Sequence, residues 1–392
     1  MTMLIDRSDL IRHNEARAER RGRRAVVTLV TYPARQLILA HGVALMRGIR
    51  TIVACCLMAA LPGLSSGAMA GETAGSTQPT AIHFSFDRPV NASAAPIVVA
   101  LTDGLFAAER LAVTTSIAEN SPDAIGRIAS GASDLALVDV NALVRFRAQA
   151  SAPPVQAVFM LFNKAPYAIV ARKSRGIHLL ADIEGKTLGM ADGDLSANLW
   201  PALVHENGIK LSTIKLSRIS SAVREPMLSA GQLDAVTGFS YQSAVNLRDR
   251  GVPADDLVVL RFSDYGCEAY GFAVIVNPAF AERQPDAVRA FVRALIAGAN
   301  LTIRDEGHAV DQVLTQIDQG SRDLELERLH AVLRDNIQTQ EVWRNGLGAV
   351  DPARLERSID QVGEGFKFAH RPSAADIFDD RFLPPRGDRL IN

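Results

Sequence analysis

Cysteine is almost missing from this chain, with three among 392 residues: Cys55, Cys56 and Cys267. They show neither metal-ligand spacing nor the even, regular set of a disulfide framework. An excess of charge is missing as well. The 42 Lys and Arg against 43 Asp and Glu leave a formal net charge of −1, which argues against a basic nucleic-acid binder and against an acidic tail. The signatures H-E-x-x-H, C-x-x-C and G-x-S-x-G are absent, so no common catalytic motif is available. What is present is apolar matter. With 48% hydrophobic and 22% charged residues, the chain can bury real cores in one or two domains.

The N-terminal region carries an address. Met46-Arg-Gly-Ile-Arg50 is short and basic, Thr51–Leu64 is apolar, and Ala68-Met69-Ala70 is a small-x-small cleavage pattern. Residues 46–70 therefore read as a secretory signal peptide. The apolar run is too short, and too soon followed by Pro62 and Gly63, for a membrane span. Residues 1–45 are polar and Arg-rich, unlike any signal n-region; they are expected to be a mis-annotated or disordered extension, with Met46 as the true start. Arg20-Arg21 or Arg23-Arg24 would be a twin-arginine signal, but no apolar run follows at the right distance. Cys55 sits in a lipoprotein-like box, yet a start at Met46 leaves almost nothing apolar before it. The expected mature protein is periplasmic and keeps Cys267 alone, as a small buried hydrophobe.

From Ala81 onward strand-like and helix-like runs alternate, the pattern of an α/β architecture. Residues 81–86, 112–118, 134–140, 155–162 and 167–172 read as strands. Between them lie a helical stretch over 95–111, interrupted by Gly104, and a helix beginning with Ser121 as N-cap and Pro122 at its first position. A second unit starts near Asp182, with strands "TLGMA", "KLSRIS" and "DAVTGF" and helices over 195–209 and "AVREPMLSA". In Ser130-Gly-Ala-Ser-Asp134 and Ala230-Gly-Gln-Leu-Asp234 a helix ends in Gly, two residues intervene, and Asp opens a buried strand. That step, used once in each unit, suggests two similar lobes. "YGFAVIVN" (270–277) reads as a strand returning to the first unit. Long amphipathic helices follow, and the tail "FDDRFLPP" reads as a surface wrap. Gly185-Lys186-Thr187 is not a phosphate loop. Such a loop needs a glycine separated from Gly185 by four residues, where Leu180 stands, and a strand before it rather than after.

The segments "DGLFAAERLAV", "GASDLALVD", "DIEGKTLGMADG", "AGQLDAVTGF" and "YGFAVIVNPAFAERQPDAVRAFVRA" together resemble the periplasmic solute-binding proteins of the nitrate/sulfonate/taurine and THI5-like pyrimidine-precursor group. The resemblance runs from about Ala81 to the C-terminus. It implies a type II periplasmic-binding fold: two α/β lobes closing like a Venus flytrap on a two-strand hinge. The first lobe would comprise residues 81–172 plus 265–392 and the second 173–264, with crossovers near Arg172 and Phe262. It further implies a monomeric, non-enzymatic protein without cofactor or metal. Such a protein would deliver a small molecule to an ABC permease driven by a cytoplasmic ATPase. Two rivals stand beside it. One is a THI5-like pyrimidine-synthesis enzyme, which would be cytosolic, would carry a cysteine-rich segment and would consume a suitably placed histidine. The other is a sensor reporting ligand to a membrane kinase.

In open α/β lobes ligands sit beyond the carboxyl ends of strands, at the helix N-termini that follow. That rule selects Asp87, Arg88 and Asn91; Asp139 and Asn141; Asn163, Lys164 and Tyr167 at the crossover edge; Asp192, Asp194, Ser196 and Asn198; and Phe239 and Tyr241. Residues 86–91 resemble the "D-W-x-P-N" stretch of pyrimidine-precursor binders, with Arg88 where their tryptophan stands. Each candidate has a plainer reading: Asp194 or Ser196 as a helix cap, Phe239 and Tyr241 as core edge, Asp134 and Asp234 as turn residues, Trp200 as packing. His83 and His178 are not read as ligands. Asp192 and Asp194 oppose an anion, while Arg88 and Lys164 would compensate from the other lobe. The expected ligand is a small neutral or heteroaromatic nitrogen compound, pyrimidine-like, with a zwitterion or sulfonate as runner-up.

Overall fold

The computed structural model describes residues 78–191 and 193–391; the expected extension, the signal peptide and Asp192 lie outside the described residues. Among the described residues ten strands form two five-stranded sheets. The first contains β1 (Thr80–Phe86), β2 (Leu111–Ile117), β3 (Leu135–Asp139), β4 (Gln156–Met160) and β10 (Phe272–Val276), in the order β2-β1-β3-β10-β4. The second contains β5 (Tyr167–Arg172), β6 (Thr187–Ala191), β7 (Lys215–Ile219), β8 (Ala235–Phe239) and β9 (Leu257–Arg261), in the order β7-β6-β8-β5-β9. Each sheet has three parallel strands, and in each a strand running the other way sits fourth, antiparallel to both neighbours. The two sheets share one plan.

The repeated helix–Gly–x–x–Asp step explains how. Gly131 and Gly231 both end their helices in the left-handed region, at φ 79° and 72°, where a side chain would be strained. The aspartate that follows then stitches its strand to a neighbour. Asp134 accepts a hydrogen bond from the His83 backbone N–H at 2.8 Å, and Asp234 accepts one from Thr187 N–H at 2.8 Å. Both are turn residues tying two strands together. The His83 ring, expected to stand alone, lies 3.4 Å from the Asp134 carboxylate.

One boundary moves. Tyr167–Arg172 was assigned to the first lobe, yet it pairs with β8 and β9 in the second sheet. The chain therefore changes sheets between Met160 and Tyr167 rather than near Arg172, and returns between Arg261 and Phe272. The reason is burial: all but the last residue of β5 is buried, so its backbone needs a ladder on both sides. The second ladder comes from β9, which was passed over in the sequence because its half-buried Leu257–Arg261 is short and follows a charged turn.

Local signals decide the helices. The helix Ser121–Ser130 is capped by Asn120, not Ser121; the Asn120 side chain accepts from Asp123 N–H, which frees the Ser121 hydroxyl for other work. The stretch 195–209 is two helices, Leu195–Asn198 and Trp200–Asn207, broken at Leu199. Pro201 lacks an N–H to continue the ladder and restricts the residue before it. Trp200 is packed in the core, 4% exposed. At Gly185-Lys186-Thr187 the glycine takes φ 77°, the Lys186 ammonium donates to the Arg175 carbonyl, and Thr187 opens β6.

The first sheet's core centres on Phe291 in the helix Pro285–Arg304, stacked on Phe84 of β1 at 5.5 Å and on Phe106 at 4.6 Å. The C-terminal tail is more than a wrap. Phe382 is 1% exposed and plugs this core, and Phe378 bridges to Ala157 beside β4. Cys267 is buried and unpaired; burial, with Glu206 and Glu364 nearby, pushes its thiol up to about 12, so it stays a neutral small hydrophobe. Among the described residues no helix is long and apolar enough to cross a membrane. Truncating Phe291 to Ala is expected to cost about 3–5 kcal/mol, read as a lower urea midpoint at unchanged m-value. Phe291→Leu should lose less than half of that.

Candidate functional site

A cavity of about 320 Å³ opens among the loops that follow β1, β2, β6, β7 and β8. Arg88, Asn120, Ser121 and Pro122 line it from the first sheet; Ala191, Gly193, Asp194, Leu195, Ser221, Arg224, Gly238, Phe239 and Gln242 line it from the second.

The first wall is organised around Asp87, which is 1% exposed. Arg88 donates to both its oxygens, Nε to Oδ1 at 2.8 Å and Nη2 to Oδ2 at 2.7 Å, and Ser121 Oγ donates to Oδ2 at 2.5 Å. The guanidinium lies over two rings, Phe239 at 4.8 Å and Phe272 at 4.4 Å. Those rings end β8 and begin β10, so a side chain of the first sheet rests on an aromatic of the second. Burial opposes the charge on Arg88, but Asp87, by charge and hydrogen bond, raises its pKa and keeps it cationic.

The second wall is a polar lattice. Asp194 caps the helix Leu195–Asn198: its Oδ1 accepts from Ser196 N–H at 2.9 Å and from Ser196 Oγ at 2.6 Å. Its Oδ2 accepts from Thr237 Oγ1 at 3.0 Å and from Arg224 Nη1 at 3.4 Å. Arg224 also donates to Glu225 Oε1 at 3.0 Å, and Ser243 Oγ donates to the same oxygen at 2.8 Å. Gly238 lets Arg224 and Ser243 close in; a Cβ there would meet Ser243 Oγ at 2.7 Å. The cap reading is thus correct for Asp194, which also lines the cavity; Ser196, inside the helix, donates to that cap and is not a lining residue.

Behind the first wall sits Asp139, fully buried at the end of β3. Ser121 Oγ accepts its backbone N–H at 3.1 Å, linking it to Asp87. Tyr167 O–H donates to Oδ2 at 2.5 Å, and Asn141 donates to Oδ1 through both its backbone N–H and its amide at 2.9 Å. The Asn141 amide also reaches the Tyr270 carbonyl at 2.7 Å. Burial raises the Asp139 pKa to about 6; the Tyr167 and Asn141 hydrogen bonds and the Arg88 charge hold it from rising further. Burial and the neighbouring Asp139 raise Tyr167 well above a free phenol, so it remains a donor.

The remaining candidates lie elsewhere. Asn91 caps a short turn by accepting from Ser93 N–H at 2.9 Å. Asn163 is 1% exposed and bound to the C-terminal segment: its Nδ2 donates to Glu341 at 3.0 Å, and its Oδ1 accepts from Thr339 at 2.7 Å and Arg354 at 3.1 Å. Lys164 borders that same region rather than the cavity. Asn198 presses its carbonyl against Gly365. Tyr241 is fully buried between Phe162 and Phe239, at 6.3 and 5.8 Å. Sequence reasoning missed Asn120, Ser121, Ser221, Arg224, Thr237 and Gln242. The rule that selected the other loops applies equally after β2 and β7, so Ser121 and Arg224 were within reach. Thr237 and Gln242 carry no such signal.

The NMT1/THI5-like family model matches residues 91–309. The chain belongs to the NMT1/THI5-like family. Relatives include a riboflavin-binding protein of Chloroflexus aurantiacus, 26% identical over 75% of this chain and 83% of that protein. A 4-amino-5-hydroxymethyl-2-methylpyrimidine phosphate synthase of Schizosaccharomyces pombe is 26% identical over 51% of this chain and 59% of its own length. A formylaminopyrimidine-binding protein of Halalkalibacterium halodurans is 25% identical over 57% and 67%. Among solved structures, the periplasmic aliphatic sulphonate binding protein of Escherichia coli aligns with TM-score 0.62 at 14% identity, over 76% of this chain and 92% of that one. The ligand-binding component of an ABC-type import system from Staphylococcus aureus gives 0.58 at 15% identity, over 77% and 97%. The two mixed sheets are therefore a periplasmic-binding-protein fold. In this NMT1/THI5-like chain Arg88 keeps aromatic company by lying on Phe239 and Phe272.

The raised pKa of Asp139 has a definite sign. Between about pH 4, where an unfolded aspartate loses its proton, and about 6, the native state holds a proton that the unfolded chain has released. Stability should therefore fall as pH rises through this window and be level above it, a loss of roughly 3 kcal/mol. Asp139→Asn should remove this component of the slope. Tyr167→Phe should extend it to higher pH, because the lost hydrogen bond favours the charged form. Urea midpoints from pH 4 to 8 check this.

Proposed function

We propose that this chain is the extracytoplasmic solute-binding component of an ABC importer, and that its ligand is a small neutral, nitrogen-containing heteroaromatic held between two lobes built on the two sheets. The two crossovers, residues 161–166 and 262–271, would serve as the hinge. The ligand favours the closed form by its differential affinity for it, and the closed form docks on the permease. The functions named for the riboflavin- and formylaminopyrimidine-binding relatives support the ligand class.

The observation that carries the reading is the charge state of the cavity. Both guanidiniums that line it are already matched, Arg88 to Asp87 and Arg224 to Asp194 and Glu225. Lys164, the other expected cation, is not among the lining residues. An anion would have to break a buried pair, which is strongly unfavourable. A flat neutral ring instead meets Arg88 and Phe239. Ser221 and Gln242, whose side chains are engaged by no described residue, supply hydrogen bonds to ring nitrogens and exocyclic groups. The cavity is at the small end of the ~300–1,000 Å³ range of ligand sites, in keeping with a one- or two-ring compound. Neither histidine nor cysteine lines it, which favours binding over the histidine-consuming synthase chemistry.

A thermal-shift screen of the purified chain against pyrimidines, flavins, alkanesulfonates, taurine and nitrate tests this. A true ligand at a hundred times its Kd adds about 2.7 kcal/mol of stability. Heteroaromatics should raise the melting temperature, and Phe239→Ala should weaken the best of them roughly tenfold, the ~1.4 kcal/mol of one aromatic contact. Tight binding of taurine or an alkanesulfonate, with pyrimidines and flavins inert, would sink the reading.

A further inference from the structure

A second and larger cavity, of about 610 Å³, lies on the far side of Tyr241 and shares no lining residue with the first. The helix Ser240–Asp249 and the edge strand β9 supply one side. Glu306 and the helical run from Arg322 to Ile337 supply the other. Its charged groups are nearly all matched. Arg248 pairs with Glu327 Oε1 at 2.8 Å, Arg334 and Arg261 pair with Asp335 at 2.8 and 3.4 Å, and His330 lies 3.4 Å from Glu306.

Three polar atoms are left over. Glu327 Oε2, Ser240 Oγ and Tyr241 Oη are buried and have no hydrogen-bond partner among the described residues, and Ser240 as a whole is 5% exposed. A buried acceptor without a donor costs about 1–3 kcal/mol, and more when charged, so each such group asks for an explanation. The formal balance points the same way. With His330 neutral, four lining carboxylates (Glu306, Asp323, Glu327, Asp335) against three guanidiniums (Arg248, Arg261, Arg334) leave one negative charge in excess. Between the polar groups the walls are apolar, from Val245, Val259 and Leu326.

We propose that this cavity is a binding site for a small primary ammonium compound with an apolar body. The ammonium donates to Glu327 Oε2 and Ser240 Oγ, and the hydrocarbon part packs on Val245, Val259 and Leu326. A carboxylate ligand is disfavoured, because every arginine lining the site is already taken and the free acceptor is itself an anion.

Isothermal titration calorimetry on the full chain with phenethylamine and butylamine tests the proposal, with phenylacetate and butyrate as counter-probes of the same bodies. Saturable binding of an amine in the millimolar range or tighter, without binding of the matching carboxylate, is expected. Glu327→Gln keeps an acceptor for Arg248 but removes the charge, and should weaken the amine about tenfold. Ser240→Ala should weaken it severalfold and stands in if Glu327→Gln fails to fold. Ser221→Ala, in the other cavity, should leave it unchanged, which separates this site from the cleft. No saturable heat with either amine overturns the proposal. So does equal binding of the carboxylates, or a loss with Ser221→Ala and not with the Glu327 or Ser240 variants.

Discussion

A carboxylate with almost no water around it ties the two sheets to each other. Asp139 ends β3 in the first sheet, its partner Tyr167 opens β5 in the second, and its other partner Asn141 grips the carbonyl just before β10. The Asn141 amide thus reaches both points at which the polypeptide passes between sheets, Tyr167 Oη at 3.1 Å and the Tyr270 carbonyl at 2.7 Å. Removing a partner would leave a buried charge uncompensated, which is far worse than never having buried it. The same cluster reaches forward through Ser121 to Asp87 and Arg88, so the cavity's first wall and the residues at both crossovers are one hydrogen-bonded assembly.

Much of this was legible before the fold was known, because the information is local. The Gly–x–x–Asp step is a cap and a strand stitch written in five residues, and its two copies announced two similar sheets. Arg88, Asp194 and Phe239 stand at or just beyond strand ends and could be placed at the cavity by rule alone. What escaped was non-local. β9 is five residues of half-buried character, and only its pairing with β5 makes it a strand. Asn163 follows a strand in sequence as a ligand residue would, but the segment that occupies it, Thr339 to Arg354, arrives some 180 residues later. Ser121 was given the cap that belongs to Asn120, because either residue type fits the N-cap and the pattern cannot show which hydroxyl Asp87 will claim.

The cavity also illustrates how composition and geometry can disagree about charge. Read as a string, its loops hold opposed acids and bases and invite an argument over net sign. Folded, the charges are spent on one another, and the surface left for a ligand is a guanidinium laid on aromatic rings together with small hydroxyl and amide groups. Pairing, not the tally of charged residues, sets what such a site will accept.

The plan of the sheets has a consequence for the order in which the molecule can be assembled. All five strands of the second sheet come from the unbroken run 167–261, so that half holds its complete ladder as soon as the run is synthesised. The first sheet does not. Its β3 and β4 are neighbours in sequence but not in space, because β10 lies between them. Until the ribosome has passed residue 276, β3 and β4 each lack a partner edge, and closing that gap spans more than a hundred residues of loop. The earlier-made half is thus the later-finished one, with apolar strand edges waiting on the chain's return.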